Sequence, residues 1–532
     1  MSYVSAQFLL FVGIVFILYY VLPKKYQWVF LLVCSYIFYL FAGIKPLFFI
    51  LFTTITTFLA GRKMGEYENE YKTELEAKRS ELSREERRAM KATCGERKKK
   101  ILLAAMLSNF GILFILKYYN PIANNISEIF SLFKYDVNVP LINVILPLGI
   151  SFYIFMSLSY CIDIYRAKYE PEQNIFKFAL FISFFPSVTQ GPLSRYDQLG
   201  PQLTAEHDFD INNLRRGLLL VGWGFFKKIV IADRAAMVVN TVFADYTQFD
   251  GFQIAAAIFV YTMQIYCDFS GGIDITRGIA QVMGIDLIEN FERPYFAVSV
   301  PDYWSRWHMS LTGWMREYVF YPMTLSKKMI KLGSWSRAHL KGKIAKQLPS
   351  YCVTFTVFFL MGIWHGAALG NFAFALYNGG IIVLGMICKP YFDKLGQALH
   401  VNTDAKWFRV WLSVRTYFVM LIGKMMVKGA SVHAGIAMLW TAFTDFNPLH
   451  NTFKRLVAAG MGGSDWIAIT FAIALLFIVS LLQENGINIR DKIESKPLAL
   501  RWAFYLIALT VILVLGTYGP GYSASEFIYR NY

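Results

Sequence analysis

Cysteine is scarce in this chain, which has six in 532 residues. None of them has the CxxC or finger-like spacing of a metal site, and most lie in or beside apolar runs. This pattern excludes a disulfide framework and gives no support to a zinc site, so we expect no metal. The six are Cys34, Cys94, Cys161, Cys267, Cys352 and Cys388.

Nucleotide-binding signatures are also missing. The chain has no Walker-type loop, and the stretch GWGFFKK at 222–228 lacks the third glycine and the preceding strand of a dinucleotide fingerprint. We find no internal repeat and no low-complexity segment. Energy coupling by nucleotide hydrolysis is therefore not expected, and neither is a bound cofactor.

Charged residues make up only 17% of the chain, whereas apolar residues make up 56%. This excess of apolar residues predicts an integral membrane protein. Runs of spanning length predict an all-α polytopic protein with about 11 to 13 spans. The runs lie near residues 3–22, 28–43, 47–60, 101–118, 141–160, 213–231, 252–267, 349–365, 371–388, 407–422, 466–482 and 500–518.

The distribution of basic residues predicts the orientation. The first run has no basic leader and no cleavage site, and it ends at Pro23-Lys24-Lys25, so we read it as a retained helix. Because basic short loops stay cytoplasmic, we assign Lys24, Lys25 and the stretches 62–100, 327–346 and 490–501 to that side. Both termini are then outside. The net charge of +16 reflects this bias and attraction to anionic membrane lipid, not nucleic-acid binding.

The mixed charges of EAKRSELSREERRAMK, within 61–100, predict a solvated cytoplasmic helical loop with opposite charges three or four residues apart. A second departure from a simple bundle is ALFISFFPSVTQGPLSR at 179–195, where Pro186 and Gly191-Pro192 break an apolar run. We expect a re-entrant element there, with two short interfacial helices as the alternative.

Acidic residues follow the apolar run in QIYCDFSGGIDITRGIAQVMG at 264–284. Asp268 and Asp274 are candidates to support a polar cavity. The alternative is a structural pair between Asp274 and Arg277, three residues apart.

A helix is predicted to begin near residue 300, because Ser299 and Asp302 form a capping pattern and Pro301 suits a first turn. On such a helix Trp304, His308, Thr312 and Arg316 would share one face. With Arg306, these residues fit a helix at the membrane interface, and His308 taken alone has an interfacial or structural role.

His365 is set in the uncharged stretch LMGIWHGAAL at 360–369. Holding an ionisable ring in an apolar segment is costly, so its default interpretation is functional. Gly362 and Gly366 would allow another backbone or a substrate to approach it closely.

Several blocks together resemble the bacterial membrane-bound O-acyltransferases, in the branch that includes the alginate O-acetylation proteins; the teichoic acid D-alanylation protein is a more distant relative. The blocks run in order across most of residues 1–400. They are PLGISFYIFMSLSYCIDIYR at 147–166, FFPSVTQGPLSR at 184–195, FFKKIVIADR at 225–234, CDFSGGIDITRGIAQVMGIDLIENFERPY at 267–295, DYWSRWHMSLTGWMREYVFYP at 302–322 and GIWHGA at 362–367.

This resemblance implies a ring of tilted helices around a central tunnel, with the essential histidine at His365 and a second one at His308. It implies a single membrane domain over 1–532, with a catalytic core at 147–388 and an extracytoplasmic tail at 519–532. The acyl donor would be a cytoplasmic thioester, either acetyl-CoA or a carrier protein, and the acceptor a hydroxyl of an extracytoplasmic exopolysaccharide or cell-wall polymer. Tunnel or support candidates are Asp268, Asp274, Trp304, Arg306, Arg316 and Trp364.

His365 would act as general base, since an alcohol is a weak nucleophile near pH 7. His308 would orient the nucleophile or polarise the carbonyl, and the sequence leaves both roles open. An SGNH-hydrolase-like partner outside the membrane would complete the transfer.

The tail FIYRNY at 527–532 resembles an aromatic motif of polymer-acylating systems, which suggests Tyr529 as an acyl relay. Eight extended residues from the Gly519-Pro520-Gly521 hinge span about 26 Å, and half a hydrocarbon core is about 15 Å, so Tyr529 could reach His365. An aromatic interface anchor and direct transfer without a relay are the alternatives. Alternatives for the whole protein are D-alanyl transfer to teichoic acid and, in another class, a transporter with a histidine proton relay.

Overall fold

The computed structural model describes residues 2–132, 134–135, 137–142, 146–448, 452–518 and 527. The chain forms two compact units, Met1–Val221 with Ile275–Ile288, and Gly222–Asp274 with Glu289–Tyr532. In the described residues the regular elements are helical, and an isolated bridge joins Phe291 and Trp307. The prediction of an all-α protein is confirmed.

Eight helices begin in the first unit. They are α1 (Ala6–Val21), α2 (Gln27–Leu40), α3 (Ile44–Ala77), α4 (Arg84–Leu132), α5 (Ile150–Tyr165), α6 (Ile175–Ser183), α7 (Tyr196–Thr204) and α8 (Ile211–Phe225). A short 3-10 turn, Lys24–Tyr26, joins α1 to α2, and a π-helical segment, Phe226–Ala232, follows α8 directly.

The remaining helices are α9 (Asp233–Ala244), α10 (Gly251–Val282), α11 (Val300–Arg306), α12 (Met309–Met315), α13 (Tyr321–Thr324), α14 (Lys327–His339), α15 (Gly342–His365), α16 (Leu369–Ala398), α17 (Lys406–Lys428), α18 (Val432–Thr444), α19 (Thr452–Ala458), α20 (Gly463–Glu484), α21 (Ile489–Glu494) and α22 (Leu498–Leu515). The 3-10 turns Tyr246–Gln248 and Pro294–Phe296 and the π-helical turn Arg316–Phe320 lie between them.

Within the described ranges, eight helices are long and apolar enough to cross a membrane, and three shorter apolar helices accompany them. The eight are α3, α4, α10, α15, α16, α17, α20 and α22. Many apolar side chains on them are exposed, as expected where lipid takes the place of a protein core. The predicted 11 to 13 spans counted short apolar runs as full spans.

The charged loop at 61–100 is two helical segments rather than one continuous helix, because α3 ends at Ala77 and α4 begins at Arg84. A reciprocal cap starts the second segment. The Ser83 N–H donates to Glu86 Oε2 at 2.8 Å, and the Glu86 N–H donates to Ser83 Oγ at 3.2 Å.

The predicted break after residue 179 is present, since α6 ends at Ser183 before Pro186. All residues from 178 to 194 are buried, so the irregular backbone is enclosed by protein. Tyr3 Oη donates to the carbonyls of Phe185 and Pro186 at 3.2 and 3.1 Å, and the Phe185 N–H donates to Ser35 Oγ at 3.1 Å. These bonds satisfy backbone groups that would be costly to expose to lipid.

The helix predicted near residue 300 begins where expected. Ser299 Oγ accepts the Asp302 N–H at 3.2 Å, and α11 follows. The predicted shared face of Trp304, His308, Thr312 and Arg316 is wrong, however. The backbone leaves the helix at Trp307, which is extended, and His308 has a φ of 48°, so α11 and α12 are separate helices.

Candidate active site

His365 is the last residue of α15, and its position depends on two glycines. Gly366 ends the helix with a φ of 146°, a conformation that residues with a Cβ rarely adopt. Gly362 lies so close to α16 that a Cβ built on it would be 2.3 Å from the Cβ of Ala375. The close approach of another backbone, expected from the sequence, therefore occurs between α15 and α16 and fixes His365 against α16.

The His365 side chain lines a cavity in the second unit. The other lining residues come from α10, α11, α16, α17 and the α11–α12 connection, and most of them are aromatic or aliphatic. Trp304 and Asn371 add polar groups, and Lys424 adds a charged one. The full lining is Tyr261, Ile265, Tyr303, Trp304, Trp307, His365, Asn371, Phe374, Met420, Lys424 and Val427.

His308 is 1% exposed and packs beside this site. The rings of His308 and Phe269 pack edge to face, with their centroids 4.9 Å apart. The Trp364 ring lies 6.0 Å from His308 and 4.6 Å from His365. The structure thus places both predicted histidines against the indole of Trp364.

The tautomer of His308 follows from its partner Asn290. Asn290 Oδ1 accepts the Ser310 N–H at 2.9 Å, which identifies that atom as the amide oxygen, and it lies 3.3 Å from His308 Nδ1. Nδ1 therefore donates and Nε2 carries the lone pair. Burial, and secondarily the nearby His365, hold the pKa of His308 well below its usual value, so the ring is neutral at pH 7.

Asp268 and Asp274 each pair with a buried lysine of the π-helical segment that follows α8. Lys228 Nζ lies 2.6 Å from Asp268 and 2.8 Å from Asp233. Lys227 Nζ lies 2.6 Å from Asp274 and donates to Ser270 Oγ at 2.9 Å. The two acids are thus held in buried ion pairs, and neither is among the cavity-lining residues.

The two arginine candidates have different surroundings. Arg306 bonds Asp302 at 2.9 Å and Glu484 at 3.0 Å, and so joins α11 to the end of α20. Arg316 is exposed at the end of α12 and is not among the cavity-lining residues.

The sequence of residues 168–427 matches the model of MBOAT, the membrane-bound O-acyltransferase family, and this range contains both histidines and Lys424. Residues 168–427 form a membrane-bound O-acyltransferase domain. The chain is accordingly an acyltransferase and a multi-pass protein of the cell membrane.

Relatives of this acyltransferase modify different polymers. It is 29% identical to the probable alginate O-acetylase AlgI of Pseudomonas syringae, over 80% of this chain and 72% of the relative. It is 28% identical to the peptidoglycan O-acetyltransferase of Helicobacter pylori, over 52% of this chain and 54% of the relative. It is 27% identical to the teichoic acid D-alanyltransferase of Bacillus subtilis, over 55% and 71% respectively.

The candidate relay Tyr529 lies outside the described residues, but the acyltransferase's Phe527, two positions earlier, is described. Phe527 is 3% exposed, and Lys228 Nζ lies 4.3 Å from the centre of its ring. Before the tail begins, Thr517 donates through both its N–H and its Oγ1 to the Ile229 carbonyl, at 3.0 and 2.8 Å. Thr517, just before the tail, and Phe527, within it, thus both contact the π-helical segment.

Sequence reasoning missed Lys424 and Asn290. Lys424 stands in LIGKMMVKGA, just after a run assigned as a span, and a lysine in such a setting is itself a signal of function. Asn290 had no comparable signal, because its role depends on the fold bringing it against His308, 18 residues later.

Proposed function

We propose that this acyltransferase is an O-acetyltransferase that moves an acyl group from a cytoplasmic thioester across the membrane to hydroxyls of an extracytoplasmic polysaccharide or cell-wall polymer. The observation that carries the proposal is the position of His365 in an apolar cavity, beside a second histidine that is held neutral. The thioester is acetyl-CoA or an acylated carrier protein, and an SGNH-hydrolase-like partner outside the membrane completes delivery.

In the proposed reaction His365 is the general base. The attacking hydroxyl oxygen bonds to the thioester carbonyl carbon while its proton passes to His365. The C–S bond then breaks, and the leaving thiolate takes the proton back from the imidazolium. The products are an ester and a free thiol, so His365 ends each cycle neutral.

His308 is proposed to orient the nucleophile rather than to polarise the carbonyl. A neutral ring that donates through Nδ1 offers a lone pair at Nε2, which can accept a hydrogen bond but cannot donate one. Because His365 takes the only proton of the attacking hydroxyl, His308 would act through packing, by fixing the Trp364 indole that contacts both histidines.

Tyr529 is proposed as an acyl relay, and the tail contacts support this. Tyr529 lies about 7 Å at most beyond Phe527 along an extended chain. The Phe527 ring contacts Lys228, Lys228 pairs with Asp268, and the residue after Asp268, Phe269, contacts His308. Phe527, the first residue of the motif, is therefore linked to His308 through a short series of contacts.

The proposed function is tested in cells that lack the gene and are complemented with variants. Base-labile acyl groups of the envelope polymers are released and identified by mass spectrometry. Wild type and His400→Ala, a change at an exposed loop histidine, should restore acetyl esters, and His365→Ala should not. Released alanine in place of acetate would favour D-alanyl transfer, and full restoration by His365→Ala would refute the proposal.

The relay has its own test. The C-terminal peptide of wild type should carry an acyl adduct on Tyr529 that is absent in His365→Ala. Tyr529→Phe, which removes only the hydroxyl, should lose polymer esters. Retention of those esters by Tyr529→Phe would favour direct transfer to the polymer.

A further inference from the structure

Lys424 lies on α17 and lines the same cavity as His365. Its side chain is 7% exposed. Within the described part of the chain no ion pair joins it to a carboxylate. A buried lysine in a membrane segment is costly, which makes it a candidate for function rather than for stability.

Three aromatic rings surround the Lys424 ammonium. Its Nζ lies 4.7 Å from the ring centre of Tyr295, 5.5 Å from Tyr303 and 4.6 Å from Trp307. Aromatic faces attract a cation within about 6 Å. This arrangement favours the charged form of the amine. Unlike an acidic partner, the rings do not neutralise its charge.

One hydrogen bond orients the ammonium. Nζ donates to Tyr295 Oη at 2.9 Å, and Tyr295 Oη in turn donates to the Thr262 carbonyl at 2.5 Å. Tyr295 is thereby fixed as the acceptor. An ammonium has three hydrogens, so two remain for other acceptors.

Trp304 supplies a second donor at the cavity wall. It is 6% exposed and lines the cavity with His365 and Lys424. Its Nε1–H has no acceptor among the residues that the structure describes. A buried N–H without an acceptor costs free energy, and a bound ligand would offset that cost.

Acyl transfer needs what these two groups offer. When the hydroxyl attacks the thioester, the carbonyl π electrons move to oxygen, and the resulting oxyanion must be stabilised in a site with little water. The neutral His308 cannot donate from Nε2, and His365 is occupied with the proton. Neither histidine can therefore donate a hydrogen bond to the carbonyl oxygen, so the donor must come from another residue of the cavity.

We propose that Lys424 is a further catalytic residue, whose ammonium, with the Trp304 N–H, binds the carbonyl oxygen of the thioester and stabilises the oxyanion. The inference rests on the proposed function of the same cavity. As the intermediate collapses, the electron pair returns to the carbonyl and the C–S bond breaks. Lys424 only donates hydrogen bonds and transfers no proton, so it does not have to be reprotonated between cycles.

The test uses the full chain in inside-out membrane vesicles that retain the extracytoplasmic partner, with acetyl-CoA outside as donor and enclosed envelope polysaccharide as acceptor. Lys424→Met removes the charge and keeps the length. We expect kcat to fall about 100- to 1,000-fold, as for loss of one oxyanion donor, with an unchanged KM for acetyl-CoA. Lys428→Met, a change one turn later on α17 at a residue that does not line the cavity, is the matched control and should retain activity.

Thermal unfolding separates catalysis from a structural role. Because Lys424→Met puts an apolar chain in place of a buried charge that has no acidic partner among the described residues, Tm should stay the same or rise. A fall in Tm that accounts for the lost activity would overturn the proposal. Tyr295→Phe removes only the acceptor that orients Nζ, so it should lower kcat by a smaller factor and serves if Lys424→Met does not fold.

The kinetic constants of Lys424→Met separate catalysis from donor binding. A raised KM with retained kcat would mean that Lys424 binds the donor and would overturn the proposal, as would a kcat within threefold of wild type. If wild type itself transfers no acetyl group while Lys424 is intact, the proposed function fails, and the inference that rests on it fails too.

Discussion

The two histidines differ in how their side chains are held. His365 borders a cavity at the end of a helix, whereas His308 is fully enclosed and bonded to Asn290. This difference explains why one ring is assigned to proton transfer and the other to orientation.

The depressed pKa of His308 predicts how stability depends on pH. In the unfolded chain this histidine has an ordinary pKa near 6.5, so below that pH the unfolded state binds a proton that the folded state resists. Stability should therefore fall as the pH drops from about 7.5 to 5. His308→Asn, which suits the left-handed backbone, removes this titration.

Thermal unfolding at both pH values measures the effect. The loss of Tm on acidification should be smaller in His308→Asn than in wild type. Equal losses in the two proteins would show that His308 is protonated in the folded state.

The residue scale is also where the sequence is most and least informative. His365 could be predicted because an ionisable ring in an apolar run is visible in one short stretch. Lys424 could have been suspected for the same reason, but its aromatic surroundings come from residues 295, 303 and 307, more than a hundred positions earlier. No local pattern contains that information.

At the scale of elements, the packing of α15 on α16 positions the site. Gly362→Ala should force the helices apart, because the added Cβ would meet Ala375 at 2.3 Å in a contact between two backbones. We expect a lower Tm and at least a tenfold loss of acyl transfer, since small displacements at a reacting centre are costly.

Gly380→Ala is the control for this change. Gly380 lies on α16 with no atom within 4 Å of an added Cβ. Alanine there should leave activity unchanged and raise stability by about 0.4 to 1 kcal/mol, through the lower entropy of the unfolded chain. Similar losses in both variants would mean that the α15–α16 contact does not position His365.

A second element-scale prediction concerns Glu484, at the end of α20. It accepts hydrogen bonds from Arg293, Arg306 and Arg409, at 2.8, 3.0 and 3.3 Å, and its side chain is 15% exposed. Glu484→Gln should reduce stability by about 1 to 3 kcal/mol, because it removes the carboxylate shared by the partly buried Arg293 and Arg306.

Asp393→Asn removes the same type of charge from an exposed pair with Lys389, so it should change Tm little. Chemical unfolding of the two variants side by side measures the difference. Equal effects would show that the arginine cluster adds nothing beyond a surface ion pair.

Element prediction from sequence succeeded where the signal was local and failed where tertiary contacts decided. The cap at Ser299 started α11 as predicted. The shared face that included His308 failed because the bridge between Phe291 and Trp307 draws the chain out of the helix. Asp268 and Asp274 looked like a local cluster, yet their buried lysine partners come from about 40 positions earlier.

At the scale of the whole molecule, the composition predicted a polytopic helical membrane protein, and motif order predicted its family. The sequence could not predict which polymer accepts the acyl group. Relatives that are similarly identical to this chain are named for alginate, peptidoglycan and teichoic acid.

Under the proposed function, His365 drives acyl transfer from a thioester on one side of the membrane to a polymer on the other. A direct measurement adds acetyl-CoA outside inside-out membrane vesicles, which retain the extracytoplasmic partner and enclose envelope polysaccharide, and then quantifies acetyl esters on the enclosed polymer. Wild type should form them, and His365→Ala should form them about 100- to 10,000-fold more slowly. Esters formed at the same rate by both proteins would contradict the account.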